Sequence, residues 1–277
     1  MNKIRLLVLT QLPPPVHGVT VISSQLVDSD LLKSRFEMTV LPMRFSRSIE
    51  QIDKLGPGKL VTSIWIALRL AVKCLFHRPD LVYFTLTPTG RSFFRDLLYV
   101  IIIKLVRIQP AYHLHGVGVN KFATTSLRRF LYRWAFRKAW IIHLSELLYP
   151  DIEPFVPRAN CRFLTNGIPD PVSDGPVVRY RSEKPMRILF LSHMVILKGP
   201  IVLMKALVKL RQQGIDFTAT FAGGRFAPDC REQFAAILAS GGLSDHVNYV
   251  GEVHGDAKDR VVRDAEGGVC PSMEEAV

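Results

Sequence analysis

The stretch Leu81-Val82-Tyr83-Phe84-Thr85, followed by Arg91–Val106 and then Ala111-Tyr112-His113-Leu114-His115, decides the fold. Its first four residues are apolar or aromatic without alternation, as in a strand covered on both faces. Arg91–Val106 reads as a helix, and Ala111–His115 reads as a second strand. Strand, helix and strand in that succession make a crossover unit with parallel strands.

The same alternation extends outward. Upstream lie a strand at Ile4–Thr10, a proline-rich loop at Leu12–Gly18, a helix at Val19–Leu32, a strand at Phe36–Leu41 and a helix at Leu60–Phe76. Downstream come a helix at Ser126–Ala139 and strands at Trp140–Leu144 and Cys161–Leu164. Residues 169–185 hold four prolines without periodicity and read as a linker between a first domain, 1–168, and a second, 186–277. The second repeats the pattern: strands at Met186–Ser192, Phe217–Ala222, Val247–Val250 and Gly267–Cys270, with helices between them. The fold class is α/β, with two doubly wound Rossmann-like domains. Four strands fall short of a six-stranded Rossmann unit, so the second domain is expected to be incomplete.

The 277 residues include 36 Lys+Arg and 24 Asp+Glu, a net charge of +12, with 48% hydrophobic residues, which excludes a disordered chain. Residues 1–150 carry 21 cations and 8 acids, and 151–277 carry 15 and 16, so the first domain holds the whole excess. In 91–138 ten cations face one acid, Asp96. Leu127–Lys138 reads as an amphipathic helix, with Leu127, Phe130, Leu131 and Trp134 on one face and Arg129, Arg133 and Arg137 on another. That pattern suits an anionic membrane surface, or equally a core helix with a solvated cationic face. Nucleic acid ranks below both, because no binding motif accompanies the charge. The apolar runs are too short or too interrupted for a signal peptide or a membrane span. The expected location is cytoplasmic, peripheral on the inner membrane face. The four cysteines are scattered, without metal-ligand spacing. The pair Gly116 and Gly118 lacks the rest of a dinucleotide fingerprint, and no phosphate-loop motif appears, so no cofactor and no metal are expected.

Three glycine-bearing turns follow strands: Pro13–Gly18, His113–Gly116 and Ser192–Gly199. With Leu164-Thr165-Asn166-Gly167-Ile168, Phe221-Ala222-Gly223-Gly224, Val250-Gly251-Glu252-Val253 and Val269–Glu275, they give an order and spacing that resembles the retaining GT-B glycosyltransferases of group 1, or family 4. The nearest resemblance is to bacterial enzymes that build surface polysaccharides. It implies a nucleotide-sugar donor, UDP- or GDP-hexose, held mainly by the second domain. A lipid-linked or glycan acceptor is held by the first, and reaction proceeds with retention and without a metal. Lys198 matches the family's diphosphate-binding lysine, and His193 stands where the family often has arginine. Gly18 matches the loop that approaches the donor phosphates, and His115 a histidine near the reacting centre. Ser272 belongs to the Pro-Ser dipeptide, and Glu275 (Glu274 in a shifted register) to the first glutamate of an E-x7-E motif. The second glutamate would fall beyond Val277, so the resemblance implies a chain truncated at its C-terminus. The alternative is an inactive remnant that keeps only acceptor and membrane binding.

Overall fold

A computed structural model of the chain describes residues 3–45, 57–167, 185–224 and 226–273. Most of the expected linker (168–184), Glu274 and Glu275 lie outside the described residues. The chain divides into two compact units, one within Met1–Pro169 and the other within Asp170–Glu275.

In the first unit β1 (Ile4–Thr10), β2 (Phe36–Pro42), β3 (Leu81–Thr85), β4 (Gln109–Leu114), β5 (Trp140–His143) and β6 (Cys161–Phe163) form one parallel sheet, ordered β2-β1-β3-β4-β5-β6. The connecting helices are α1 (Gly18–Asp28), α2 (Asp30–Arg35), α3 (Pro57–Phe76), α4 (Gly90–Leu105), α5 (Val119–Phe122), α6 (Ser126–Phe136) and α7 (Tyr149–Ile152). The step from β1 to β2 runs one way along the sheet, and every later step runs the other way. Right-handed crossovers therefore put α1 on one face and α3, α4 and α6 on the opposite face. Alternate side chains serve the two faces. Leu7, Leu9 and Phe84 join the large core with Leu70, Val100 and Phe136, while Leu6, Val8 and Tyr83 pack with Leu26 and Val27 of α1. This double burial is why the strands are largely apolar without strict alternation.

Two expectations need correction. The helix expected over Val19–Leu32 is two helices, because Ser29 ends α1 and its hydroxyl accepts from Leu32 N–H to start α2. The apolar face expected for Leu127–Lys138 meets the core only in part, through Leu131 and Trp134. Tyr132, Ala135 and Phe136 are buried, whereas Leu127 and Phe130 are exposed. Tyr132 fixes that rotation: its hydroxyl donates to Pro88 O and its ring stacks on Phe93 at 4.3 Å.

The second unit has β7 (Met186–Leu191), α8 (Pro200–Gln212), β8 (Phe217–Ala222), α9 (Pro228–Ser240), β9 (Val247–Gly251), α10 (Gly255–Arg263) and β10 (Gly267–Gly268). Its parallel sheet is ordered β10-β7-β8-β9. The core centres on Phe190, Phe217, Phe221 and Phe234, with Met204 and Leu207 of α8. The strand expected over Gly267–Cys270 pairs only through Gly267 and Gly268.

Candidate functional site

In the first unit the loops after β1, β2, β3 and β4 enclose a cavity of about 1210 Å³. It lies beyond the carboxyl ends of the strands, where doubly wound sheets bind ligands. Leu12, Pro14, Pro15 and His17 line one side, Thr85–Arg91 another, and His115–Val117 a third. Arg44, Lys59, Arg91 and Arg95 also line it, and among the described residues no carboxylate does.

Arg95 is held in place. Its guanidinium bonds Asp96 at 2.7 Å and lies over the Phe45 ring at 4.0 Å. Asp96 is fully buried and also accepts from Thr87 N–H at 2.8 Å, which ties α4 to the loop after β3. Burial raises the Asp96 pKa, and Arg95 and Thr87 oppose that rise.

His115 follows β4 and lines the cavity, its ring 4.0 Å from that of His113. His113 Nδ1 shares a hydrogen bond of 2.6 Å with the Tyr83 hydroxyl, and His143 Nδ1 accepts from Leu144 N–H at 2.9 Å. Burial first, and then the neighbouring histidines, depress His113 to about 3; burial and His143 depress His115 to about 4. His143 is lowered by burial as well. Near neutral pH the cluster is uncharged, so His115 meets a ligand as a neutral hydrogen-bonding ring. Both of its ring nitrogens are buried without a partner among the described residues.

Gly18 begins α1 beside the cavity-lining His17, which caps the helix, and His17 N–H donates to Thr20 Oγ1 at 2.9 Å. A Cβ on Gly18 would meet nothing, so packing does not demand glycine there. Arg129 and Arg133 lie exposed on α6 and Arg137 just past its end, outside this cavity.

In the second unit three turns separated in sequence come together. After β7, His193 Nδ1 lies 3.4 Å from Gly224 O, and Ser192 N–H donates to Ala222 O at 3.0 Å. A Cβ on Gly223 (φ +152°) would stand 1.8 Å from Ser192 O. Lys198 ends a 3₁₀ turn, Ile196–Lys198, and Gly199 (φ +77°) opens α8. The third segment seats on that turn: Met273 N–H donates to Leu197 O at 2.9 Å, and a Cβ on Gly199 would lie 2.1 Å from Pro271 O. Ser272, whose hydroxyl is 3.4 Å from Cys270 Sγ, is thereby brought to the mouth of α8 near Lys198. The N-terminal N–H groups of α8, whose first residue is Pro200, face the same end.

Sequence reading missed Asp96, Tyr83, His143 and Asp151. Asp96 had a signal, since it is the one acid in a long cationic stretch and sits on the buried side of α4. Asp151 had none: it accepts from Gly118, Val119 and Asn120 N–H at 2.8–3.0 Å across a sequence gap of more than thirty residues. Among the described residues no group of three His, Cys, Asp or Glu could hold a metal ion, and no helix is long and apolar enough to cross a membrane.

No protein-family model and no curated protein matches the chain. Solved structures do. A glycosyltransferase from Rickettsia africae aligns with a TM-score of 0.72 at 15% identity, over 99% of this chain and 74% of its own. Anabaena HepE, crystallised with UDP and glucose, aligns with a TM-score of 0.62 at 16% identity, over 99% and 75%. WaaG, a glycosyltransferase of lipopolysaccharide biosynthesis, aligns with a TM-score of 0.63 at 13% identity, over 98% and 76%. The fold is therefore the α/β GT-B architecture with two Rossmann-like units, and these neighbours are GT-B glycosyltransferases.

Proposed function

We propose that this protein transfers a hexose from a nucleotide sugar, UDP- or GDP-linked, to a lipid-linked or polysaccharide acceptor in cell-surface glycan synthesis. The reaction retains anomeric configuration and uses no metal, in the cytoplasm at the inner membrane face. The observation that carries this reading is the meeting of the 192–199, 223–224 and 271–273 turns. It seats Pro271 and Met273 on the turn of Lys198 at the start of α8 and His193 against Gly224. A lysine charge beside the partial positive charge of a helix N-terminus suits a departing diphosphate. The HepE crystals with UDP support a nucleotide-sugar donor.

In the first unit the large cavity is the acceptor's place in this reading. His115 there is a neutral donor and acceptor for a hydroxyl group, and Arg44 and Arg91 favour an anionic acceptor. Gly18, opening α1 beside that cavity, is assigned to the donor phosphates by resemblance alone. Glu275 is assigned to the donor sugar by resemblance alone.

Charge grows on the diphosphate as it leaves, so Lys198 contributes more to turnover than to donor binding. A panel of UDP- and GDP-hexoses, assayed for binding and for sugar release, tests the reading. Lys198→Ala should lower turnover about 10²–10³-fold, with a smaller change in donor affinity, and Lys198→Arg should recover part of it. Failure to bind any nucleotide sugar, or full turnover in Lys198→Ala, would refute the assignment.

A further inference from the structure

One face of the first unit's sheet, the side that α1 covers, buries polar side chains next to the cavity. The register pairs Thr85 of β3 with His113 of β4 and Tyr83 with Ala111, so Tyr83, Thr85 and His113 share that face. Thr85 Oγ1 lies 3.0 Å from Thr10 Oγ1, which lies 2.7 Å from Ser23 Oγ of α1, so these three hydroxyls satisfy one another. The rings beside them are not satisfied in the same way. The Tyr83 hydroxyl and His113 Nδ1 are 2.6 Å apart, but His113 Nε2 is buried without a partner among the described residues, as are both His115 nitrogens and His143 Nε2. Native cores seldom leave such atoms unpaired, so each one asks for a role.

The bonds that are made decide where the ring protons sit. Leu144 N–H can only donate, so the His143 Nδ1 that it reaches carries a lone pair, and the His143 proton is on Nε2. For Tyr83 and His113 the count of stranded groups gives the direction. Were His113 to donate, the phenol proton and the Nε2 lone pair would both be left unpaired; with Tyr83 donating, only His113 Nε2–H is. Burial also raises the Tyr83 pKa, which keeps the proton on its oxygen at neutral pH. His113 and His143 are therefore both Nε2–H tautomers. His115 alone among the three rings keeps a lone pair that no bond uses. The His113 ring meets the His115 ring at 4.0 Å with 37° between their planes, and His143 is near enough to act on both through its charge.

We infer that Tyr83 and His113 are positioning residues for His115. The Tyr83 hydroxyl fixes the plane and tautomer of the His113 ring, and that ring, packed on His115, sets the plane in which His115 faces the cavity. His115 lines the cavity whereas Tyr83 and His113 do not, so the two act through it. With one N–H each on His113 and His143, and one N–H and one lone pair on His115, the cluster holds more donors than lone pairs. A site of that kind suits an oxygen of a hydroxyl-bearing ligand, and it does not suit a metal ion, which needs lone pairs. This deepens the reading of the cavity as the acceptor's place, and only the turnover measurement below rests on that reading.

Nitrogen-15 NMR of the whole protein, labelled in its histidine rings, reads the tautomers directly. Near neutral pH, His113 and His143 should each show a protonated Nε2 and an unprotonated Nδ1. Tyr83→Phe keeps the ring's shape and removes the one bond that holds His113 Nδ1. It should populate both His113 tautomers and move the His115 ring resonances, while His143 and the circular dichroism stay as in the parent. In a sugar-transfer assay the same variant should lower kcat about tenfold, the scale on which partners behind a functional imidazole act. The KM for the nucleotide sugar should not change, because the donor belongs to the second unit. A His113 proton on Nδ1 in the parent, or His115 resonances that ignore Tyr83→Phe, would overturn the inference. So would a Tyr83→Phe variant that melts earlier yet keeps the parent's kcat. Where the parent turns over no nucleotide sugar, the transfer reading fails, and the NMR result alone decides whether Tyr83 and His113 position His115.

Discussion

The loops beyond the strand ends are built differently in the two units. In the first, the cavity beyond β1–β4 is walled by side chains: prolines, arginines and a stack of histidines. In the second, the corresponding end is pinned by close backbone approaches. Gly199 and Gly223 touch Pro271 O and Ser192 O so closely that no side chain fits. A wall of side chains can change its chemistry one residue at a time. A knot of backbone is set by where the chain must pass, and it resists any added atom.

The largest test of that contrast is a pair of glycine substitutions. Gly223→Ala forces a Cβ against Ser192 O and should cost about 3 kcal/mol or more, read as a lower urea midpoint of the second unit. Gly18→Ala meets open space at a helix start and should shift stability by less than about 0.5 kcal/mol. Similar losses for the two would erase the distinction.

Acid should affect the first unit more. His113 and His115 have folded pKa values of about 3 and 4, below the usual histidine value. The unfolded chain then binds more protons than the native one through the window between. Their contribution to stability is complete above about pH 6.5 and shrinks as pH falls, by roughly 2 kcal/mol for each histidine by about pH 5. A His113→Asn, His115→Asn variant should lose that slope. If the slope persists, other groups set the acid sensitivity of this unit.

The smallest effect concerns a carboxylate that acts as backbone support. Asp151→Asn keeps the shape but removes the charge that receives Gly118, Val119 and Asn120 N–H. It should cost about 1 kcal/mol and loosen amide protection at Val119–Phe122. Unchanged exchange there would show that the short helix stands without it.

Much of this organisation was legible in the chain. Ile4–Thr10, Leu81–Thr85 and Phe217–Ala222 appear as strands at the bounds read from the sequence, because most of their residues are buried and apolar. The turn carrying Lys198 was visible as a glycine between strand and helix. The rotation of α6 was not, since Leu127 and Phe130 fit an inward face by spacing as well as Tyr132 and Phe136 do. Only the contact of Tyr132 with Phe93 and Pro88 separates the two choices.

By itself the sequence determined the alternation of elements, the parallel strands, the excess of positive charge in the first unit and the positions of the glycine turns. These follow from local periodicity and composition, which each segment carries alone. The tertiary structure decided which turns meet, that His113, His115 and His143 share one buried cluster, and that Asp151 supports a helix far from it in the chain. It also decided that the outer side of α3 stays uncovered. A helix with apolar residues on more than one side does not reveal which side is buried, and only the packing of its neighbours shows which they cover.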